Sequence, residues 1–240
     1  MSIPNDIRQW RNSRRAEFIA RRLGVTADQR RQWNNTITQL LVERFPTLQW
    51  MVVGFYWPYQ GEFDARFAIR RLRDYGARAA LPVVVQKSAP LQFREWWPGA
   101  SMTRGVFNLP VPDGTEVVRP DALLIPPVGF DSRGYRLGYG GGYFDRTLAV
   151  MVPQPLKIGV AFELSRMPTI QPQSHDVPMD FIVTEAGVHV VREEGLELVT
   201  DPRKVSELAG AIISKRAHSA CNDNALADRR GSDSTRTVAP

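Results

Sequence analysis

The chain has 240 residues, a formal charge of +6 at pH 7 and a single cysteine. That length buries one substantial core, while the lone Cys221 excludes an internal disulfide, a redox pair and a thiolate zinc site. No window approaches the roughly twenty unbroken apolar residues of a membrane span, and Asp6, Arg8 and Arg11 interrupt the start where a signal peptide needs an apolar core. A soluble, cytoplasmic protein is expected, with a basic balance suited to anionic ligands.

The first helix is expected over Ile3–Leu23, with Ile7, Trp10, Phe18 and Leu23 on one side, arginines elsewhere and Gly24 as terminator. Arg11 and Arg15, four apart, share a face; by spacing alone that face is a solvated basic surface. A capping box from Thr26 to Gln29 opens a second helix, whose stripe of Trp33, Ile37, Leu40 and Leu41 ends before Pro46. Leu48–Trp57 has the length and valine content of a buried parallel strand. A helix over Glu62–Tyr75 follows, and an acid at its start, Glu62, suits the helix dipole without further purpose. Ala79–Val85 is a second strand interrupted by Pro82, whereas Ser88–Thr103 shows no clear period.

A strand at Ala122–Ile125 feeds the stretch Pro126–Arg146, PPVGFDSRGYRLGYGGGYFDR. Glycines 138, 140, 141 and 142 let backbone N–H groups converge on an anion. Arg136 adds a permanent cation, and a short helix over Tyr143–Met151 would turn its N-terminus toward negative charge. Asp145 in that first turn either caps the helix or holds a hard divalent cation. Neither GxxxxGK[ST] nor GxGxxG is present, so spacing alone also admits a plain glycine-rich turn. Strands at Leu156–Phe162, Phe181–Thr184 and Val188–Val191 precede a helix over Lys204–Lys215, and residues 216–240 read as a disordered polar tail. Strands alternating with helices imply an α/β fold: one layered, Rossmann-like domain over 1–215, with a largely parallel sheet flanked by helices and binding loops at the carboxyl ends of its strands.

FDSRGYRLGYGGGYFDR resembles the signature of the 5-formyltetrahydrofolate cyclo-ligase family, FDxxGxRLGxGxGYYDR. Phe130, Asp131, Gly134 and the run Arg136 to Gly138 fall in register, as do Gly140, Gly142, Tyr143, Asp145 and Arg146. The resemblance implies ATP- and Mg2+-dependent cyclisation of 5-formyltetrahydrofolate to 5,10-methenyltetrahydrofolate, with ADP and phosphate released through a phosphorylated formyl oxygen. It implies that ATP meets Arg11 and Arg15 of RNSRR, which resembles the family's KxxLR, together with Arg136, Leu137 and Gly138. Tyr139, Gly140, Gly141, Gly142, Tyr143 and Phe144 complete that ATP-binding set. Arg136, Tyr143 and Asp145 take the catalytic roles, and Asp145 with Asp176 of the SHD element would hold Mg2+. Folate is assigned to Trp57, Glu62, Phe107 and Tyr143, with Phe107 either stacking on the ligand or packing under the loop. His175 is expected to be a loop imidazole satisfied by backbone.

Arg14 stands where KxxLR has a leucine, and three further residues depart from the family pattern: Arg11 replaces a lysine, Ala65 a threonine and Phe144 a second tyrosine. They motivate an alternative, a paralogue that binds nucleotide and folate, or another metabolite, without this turnover. A nucleic-acid binder using the arginine-rich first helix is a third reading, against which no RNP, KH or zinc-finger pattern is found. The chain is expected to act as a monomer on small molecules, without membrane or nucleic-acid partners.

Overall fold

The computed structural model describes residues 5–233, with side chains from 6 to 221. The expected helix start at Ile3 therefore lies outside the described residues. Helices α1 (Asn5–Leu23) and α2 (Ala27–Arg44) form as their patterns imply, and Thr26 Oγ1 caps α2 by accepting from the Gln29 N–H at 3.2 Å. The strand expected from Leu48 starts later. Pro46, with its φ preset for a helical first position, opens a 3-10 turn over Pro46–Trp50, which leaves only β1 (Val52–Gly54) as paired strand. Helix α3 (Ala65–Asp74) likewise begins beyond Glu62, because the Asp64 side chain caps it through the Arg66 N–H at 3.2 Å.

Strand β2 (Arg78–Val83) carries Pro82 without cost to β1, whose pairing with β2 ends at Ala80. The segment without clear period supplies β3 (Gln92–Trp96), antiparallel to β2, and the first arm of a hairpin, β4 (Met102–Arg104) with β5 (Pro110–Pro112). After β6 (Ala122–Ile125) comes a small hairpin, β7 (Gly129–Asp131) and β8 (Arg136–Leu137), then α4 (Tyr143–Val150) and β9 (Leu156–Val160). A short β10 (Arg166–Met167) pairs with β7, and β11 (Phe181–Thr184), β12 (Gly187–Arg192) and β13 (Gly195–Leu198) close the sheet. Helix α5 runs over Pro202–Asp233, so the boundary expected at 216 falls inside a helix. One reason is visible at that point: Arg216 donates to both carboxylate oxygens of Asp180, at 2.6 and 2.8 Å, and to the Pro155 carbonyl at 2.6 Å. Residues 234–240 of the expected tail lie outside the described residues.

The large sheet has the order β13-β12-β11-β9-β6-β1-β2-β3. Its five inner strands, from β11 to β2, run parallel, and antiparallel strands sit on both edges. Successive residues along each strand point to opposite faces. Val53, Leu124, Ile158 and Phe181 pack against α2, α3 and α5, whereas Ala80, Leu123, Ile125 and Ile182 meet Leu148 of α4. The expected α/β layering is therefore present. From β1 the chain moves outward to β2, then returns across β1 to β6 and proceeds to β9 and β11. That reversal opens a crevice at the carboxyl ends of β1 and β6, where ligands of such folds sit. Among the described residues no helix is long and apolar enough to cross a membrane.

Gly54, at the centre of the sheet, tests this packing. A Cβ there would overlap the Leu123 side chain and lie 2.9 Å from the Phe93 ring. Overpacking of this kind costs about 1–3 kcal/mol, so Gly54→Ala is expected to lower the denaturation midpoint accordingly, measured by chemical unfolding.

Candidate active site

A cavity of about 480 Å³ occupies the crevice. One wall comes from the segment after β1, with Trp57 and Glu62, and the other from the loop between β8 and α4. Val106 and Phe107 of the β4–β5 hairpin form its rim. Phe107 is 65% exposed, in a left-handed conformation with φ of 60°, so it stands over the opening and does not pack under the glycine loop.

The glycine loop is held at its base by Arg136, which β8 delivers almost fully buried. Its Nη1 donates to the Val177 carbonyl and its Nη2 to Asp145 Oδ1, each at 2.7 Å. Asp145 Oδ1 also accepts from the Val177 N–H at 3.1 Å, which ties α4 to the segment before β11. Burial pushes the Arg136 guanidinium below its usual value, and the neighbouring Asp145 opposes that. Arg15 of α1 reaches the same loop, with Nε donating to the Gly138 carbonyl at 2.7 Å. Gly140 and Gly142 have φ of 93° and 63°, and a Cβ on Gly140 would sit 3.4 Å from the Arg15 guanidinium. Among the described residues, no backbone N–H from Gly138 to Gly142 donates to a protein acceptor. Gly141, Tyr143 and Phe144 line the cavity, and Phe144 also packs toward the core beneath α4. The Leu137 side chain does not line it, being buried with Phe18 and Ile170 beside α1.

Glu62 is 6% exposed, in the turn before α3 and not in the helix itself. Oε2 accepts from the Tyr59 N–H at 2.9 Å and Oε1 from the Tyr139 hydroxyl at 2.8 Å. Burial raises its carboxyl from 4.5 to about 7, against the opposing pull of Arg22 and of these two donors. Arg22 was not anticipated. It lies seven residues past Arg15 on α1, two helical turns along the same face, and that repeat was the available signal. Its Nη2 donates to the Tyr139 hydroxyl at 2.7 Å and its Nε to the Gln60 carbonyl at 2.9 Å.

Two expected ligands fall elsewhere. Arg11 is 6% exposed and does not line the cavity. It donates to Asp176 Oδ2 at 2.6 Å and to the carbonyls of Ile170 and Gln171 at 3.2 and 2.9 Å. Asp176 is correspondingly occupied: Oδ2 also accepts from the Gln173 N–H at 2.7 Å. A buried guanidinium without a counter-charge would be costly, which is why these two groups pair with one another and not with a cavity ligand. His175 is exposed, 3.8 Å from Asp176 Oδ1, and not held by backbone among the described residues. For a divalent cation, no group of three His, Cys, Asp or Glu side chains is assembled among the described residues. Asp145 does line the cavity, with no protein donor on Oδ2 among the described residues. One carboxylate fits Mg2+ when phosphate oxygens and waters complete the octahedron; Asp176 does not fit as a second.

The sequence profile of the 5-formyltetrahydrofolate cyclo-ligase family matches residues 7–185. The 5-formyltetrahydrofolate cyclo-ligase of Escherichia coli is 28% identical over 177 residues, 70% of this chain and 96% of its own. That of Mycolicibacterium smegmatis is 30% identical over 138 residues, 54% of this chain and 71% of its own. Among solved structures, a 5,10-methenyltetrahydrofolate synthetase from Aquifex aeolicus superposes with a TM-score of 0.67 at 27% identity, covering 79% of this chain and 96% of its own. One from Mycoplasma pneumoniae gives 0.60 at 24% identity, with 73% and 98% covered, a likeness of fold. With the profile running from α1 through β11, and the glycine loop, Arg136 and Asp145 gathered around one cavity, the chain belongs to the 5-formyltetrahydrofolate cyclo-ligase family.

Proposed function

We propose that this chain converts 5-formyltetrahydrofolate to 5,10-methenyltetrahydrofolate, using ATP with Mg2+ and releasing ADP and phosphate. One observation carries the reading: a single cavity places Glu62 and Trp57 across from the glycine loop, with Arg136, Arg15 and Asp145 beside that loop. An N-formyl group is an amide, so its carbon is a weak electrophile and its oxygen a poor leaving group. Phosphorylating that oxygen changes both. The neighbouring amine then attacks the formyl carbon, the five-membered ring closes, the amine loses its proton and the C–O bond breaks to release phosphate. No side-chain nucleophile is required, so catalysis rests on positioning and charge neutralisation.

In this reading the N–H groups of Gly138 to Gly142 and the unused donors of Arg136 cradle the phosphates, while Arg15 fixes the loop through the Gly138 carbonyl. Tyr143 orients the formyl or a phosphate oxygen. Glu62 accepts the paired N–H donors of the pterin, and Trp57 and Phe107 cover the rings. Asp145 would hold Mg2+, which would neutralise charge on the transferring group. Arg11 and Asp176 serve by fastening the segment before β11 to α1. A chain that binds both ligands without turnover is the second reading, favoured by the diversion of Arg11 from the cavity.

Incubation of the purified chain with 5-formyltetrahydrofolate, Mg2+ and ATP is expected to produce the absorbance of the methenyl product, and Asp145→Ala to abolish it. ATP binding without product would replace the first reading with the second.

A further inference from the structure

Arg22, Tyr139 and Glu62 lie on three separate segments: α1, the glycine loop and the turn after β1. They are joined by a chain of hydrogen bonds in which Arg22 Nη2 donates to the Tyr139 oxygen at 2.7 Å and the Tyr139 hydroxyl donates onward to Glu62 Oε1 at 2.8 Å. Arg22 is 3% exposed, and its backbone carbonyl accepts from Arg30 of α2 at 3.3 Å. The same guanidinium grips the Gln60 carbonyl. Gln60 and Gly61 have φ of 46° and 76°, a left-handed pair that turns the chain back so that Glu62 enters the cavity. Tyr59 completes the cage, its N–H on Glu62 Oε2 and its ring 5.8 Å from that of Tyr139.

We infer that Arg22 and Tyr139 are positioning residues for Glu62: the guanidinium–phenol–carboxylate chain holds the acid in one rotamer, aimed at the donors of the bound pterin. The inference rests on the folate reading of the cavity. A carboxylate has about four acceptor sites, and each oxygen of Glu62 has one protein donor among the described residues. Each oxygen therefore keeps acceptor capacity for a ligand without displacing Tyr139. The charged and titratable groups around Glu62 include Arg22 of α1, Tyr139 of the loop, and Tyr56 and Tyr59 of the segment after β1, with Arg30 of α2 behind Arg22. Burial and Glu62 push the Tyr139 phenol above its ordinary value, so it remains a donor at physiological pH. Because Tyr139 belongs to the loop proposed to hold phosphate, the chain also links the two halves of the cavity.

Tyr139→Phe keeps the ring against Tyr59 and deletes only the hydroxyl. The measurement is the titration of the Glu62 carboxyl by carbon-13 NMR in the ligand-free protein, with Glu62→Gln identifying the resonance. The variant is expected to raise the Glu62 midpoint by about one pH unit, because a donor that favours the charged form is gone. The KM for 5-formyltetrahydrofolate should then rise severalfold near pH 7, with the difference closing at pH 9 where both proteins hold Glu62 ionised. A purely structural Tyr139 would leave the midpoint unmoved, and that result overturns the inference. A shifted midpoint in a protein that binds no 5-formyltetrahydrofolate supports the positioning chain while overturning the folate reading.

Discussion

Arg136→Met is expected to lower the rate of methenyl formation about 10³-fold, the scale on which preorganised cations and donors at a transferring phosphoryl group act. The guanidinium has two jobs that the methionine cannot do. It faces the cavity beside the glycine loop, and it bridges Asp145 Oδ1 and the Val177 carbonyl. Its loss strips Asp145, 20% exposed, of its counter-charge. Removing one partner of a mostly buried pair costs about 3 kcal/mol, so the unfolding midpoint should fall together with the rate. Arg136→Lys separates the two effects: a compact ammonium restores charge beside Asp145 but lacks the planar fork. Relative to the methionine variant, the Arg136→Lys protein should recover more than half of the lost stability, with the rate still depressed at least tenfold. Single-turnover absorbance and urea unfolding on the same preparations provide both numbers. A rate within tenfold of the parent in Arg136→Met would remove Arg136 from the phosphate cradle.

Glu62→Gln is expected to weaken 5-formyltetrahydrofolate binding about 100-fold at pH 8, the loss of two charge-assisted hydrogen bonds, while stabilising the fold at the same pH. The sign follows from burial. The folded carboxyl is raised from 4.5 to about 7, so the native state holds a proton that the unfolded chain releases between those values. The stability this contributes is fully present below about 4.5 and is lost as pH rises through about 7, a change on the order of 3 kcal/mol. An amide at this position never ionises. Its melting temperature should exceed that of the parent at pH 8, and the gap should close at pH 5. Parent folate affinity should itself fall about tenfold per pH unit below 7, because the pterin donors require the carboxylate. Isothermal titration and thermal melts at pH 5 and 8 check both halves. A parent affinity that is flat across that range would deny Glu62 its role.

Local sequence carried the make-up of the glycine loop, because its residues are adjacent in the chain: glycines at 138 and 140–142, Arg136 before them and Asp145 after. The start of α4 at Tyr143 followed from the same stretch. Boundaries were harder wherever a cap outranked hydrophobic pattern, as at Asp64, which moved the start of α3 and left Glu62 in a turn. At the other end α3 stops at Asp74 with Tyr75 as its cap, within a residue of the expected end.

By itself the sequence determined the alternation of strand and helix, hence a layered sheet with its crevice at the carboxyl ends, and the glycine-rich composition of one loop beside that crevice. Only the tertiary structure decided which charges meet. Arg11 finds Asp176 across 165 residues, Arg22 finds Tyr139 across 117, and Tyr139 finds Glu62 across 77. Periodicity reports which face of an element is buried, but a guanidinium on that face has no local marker for its partner. The burial of α1 against the loops after β1, β8 and β10 sends Arg11 to a structural carboxylate and leaves Arg15 and Arg22 beside the cavity.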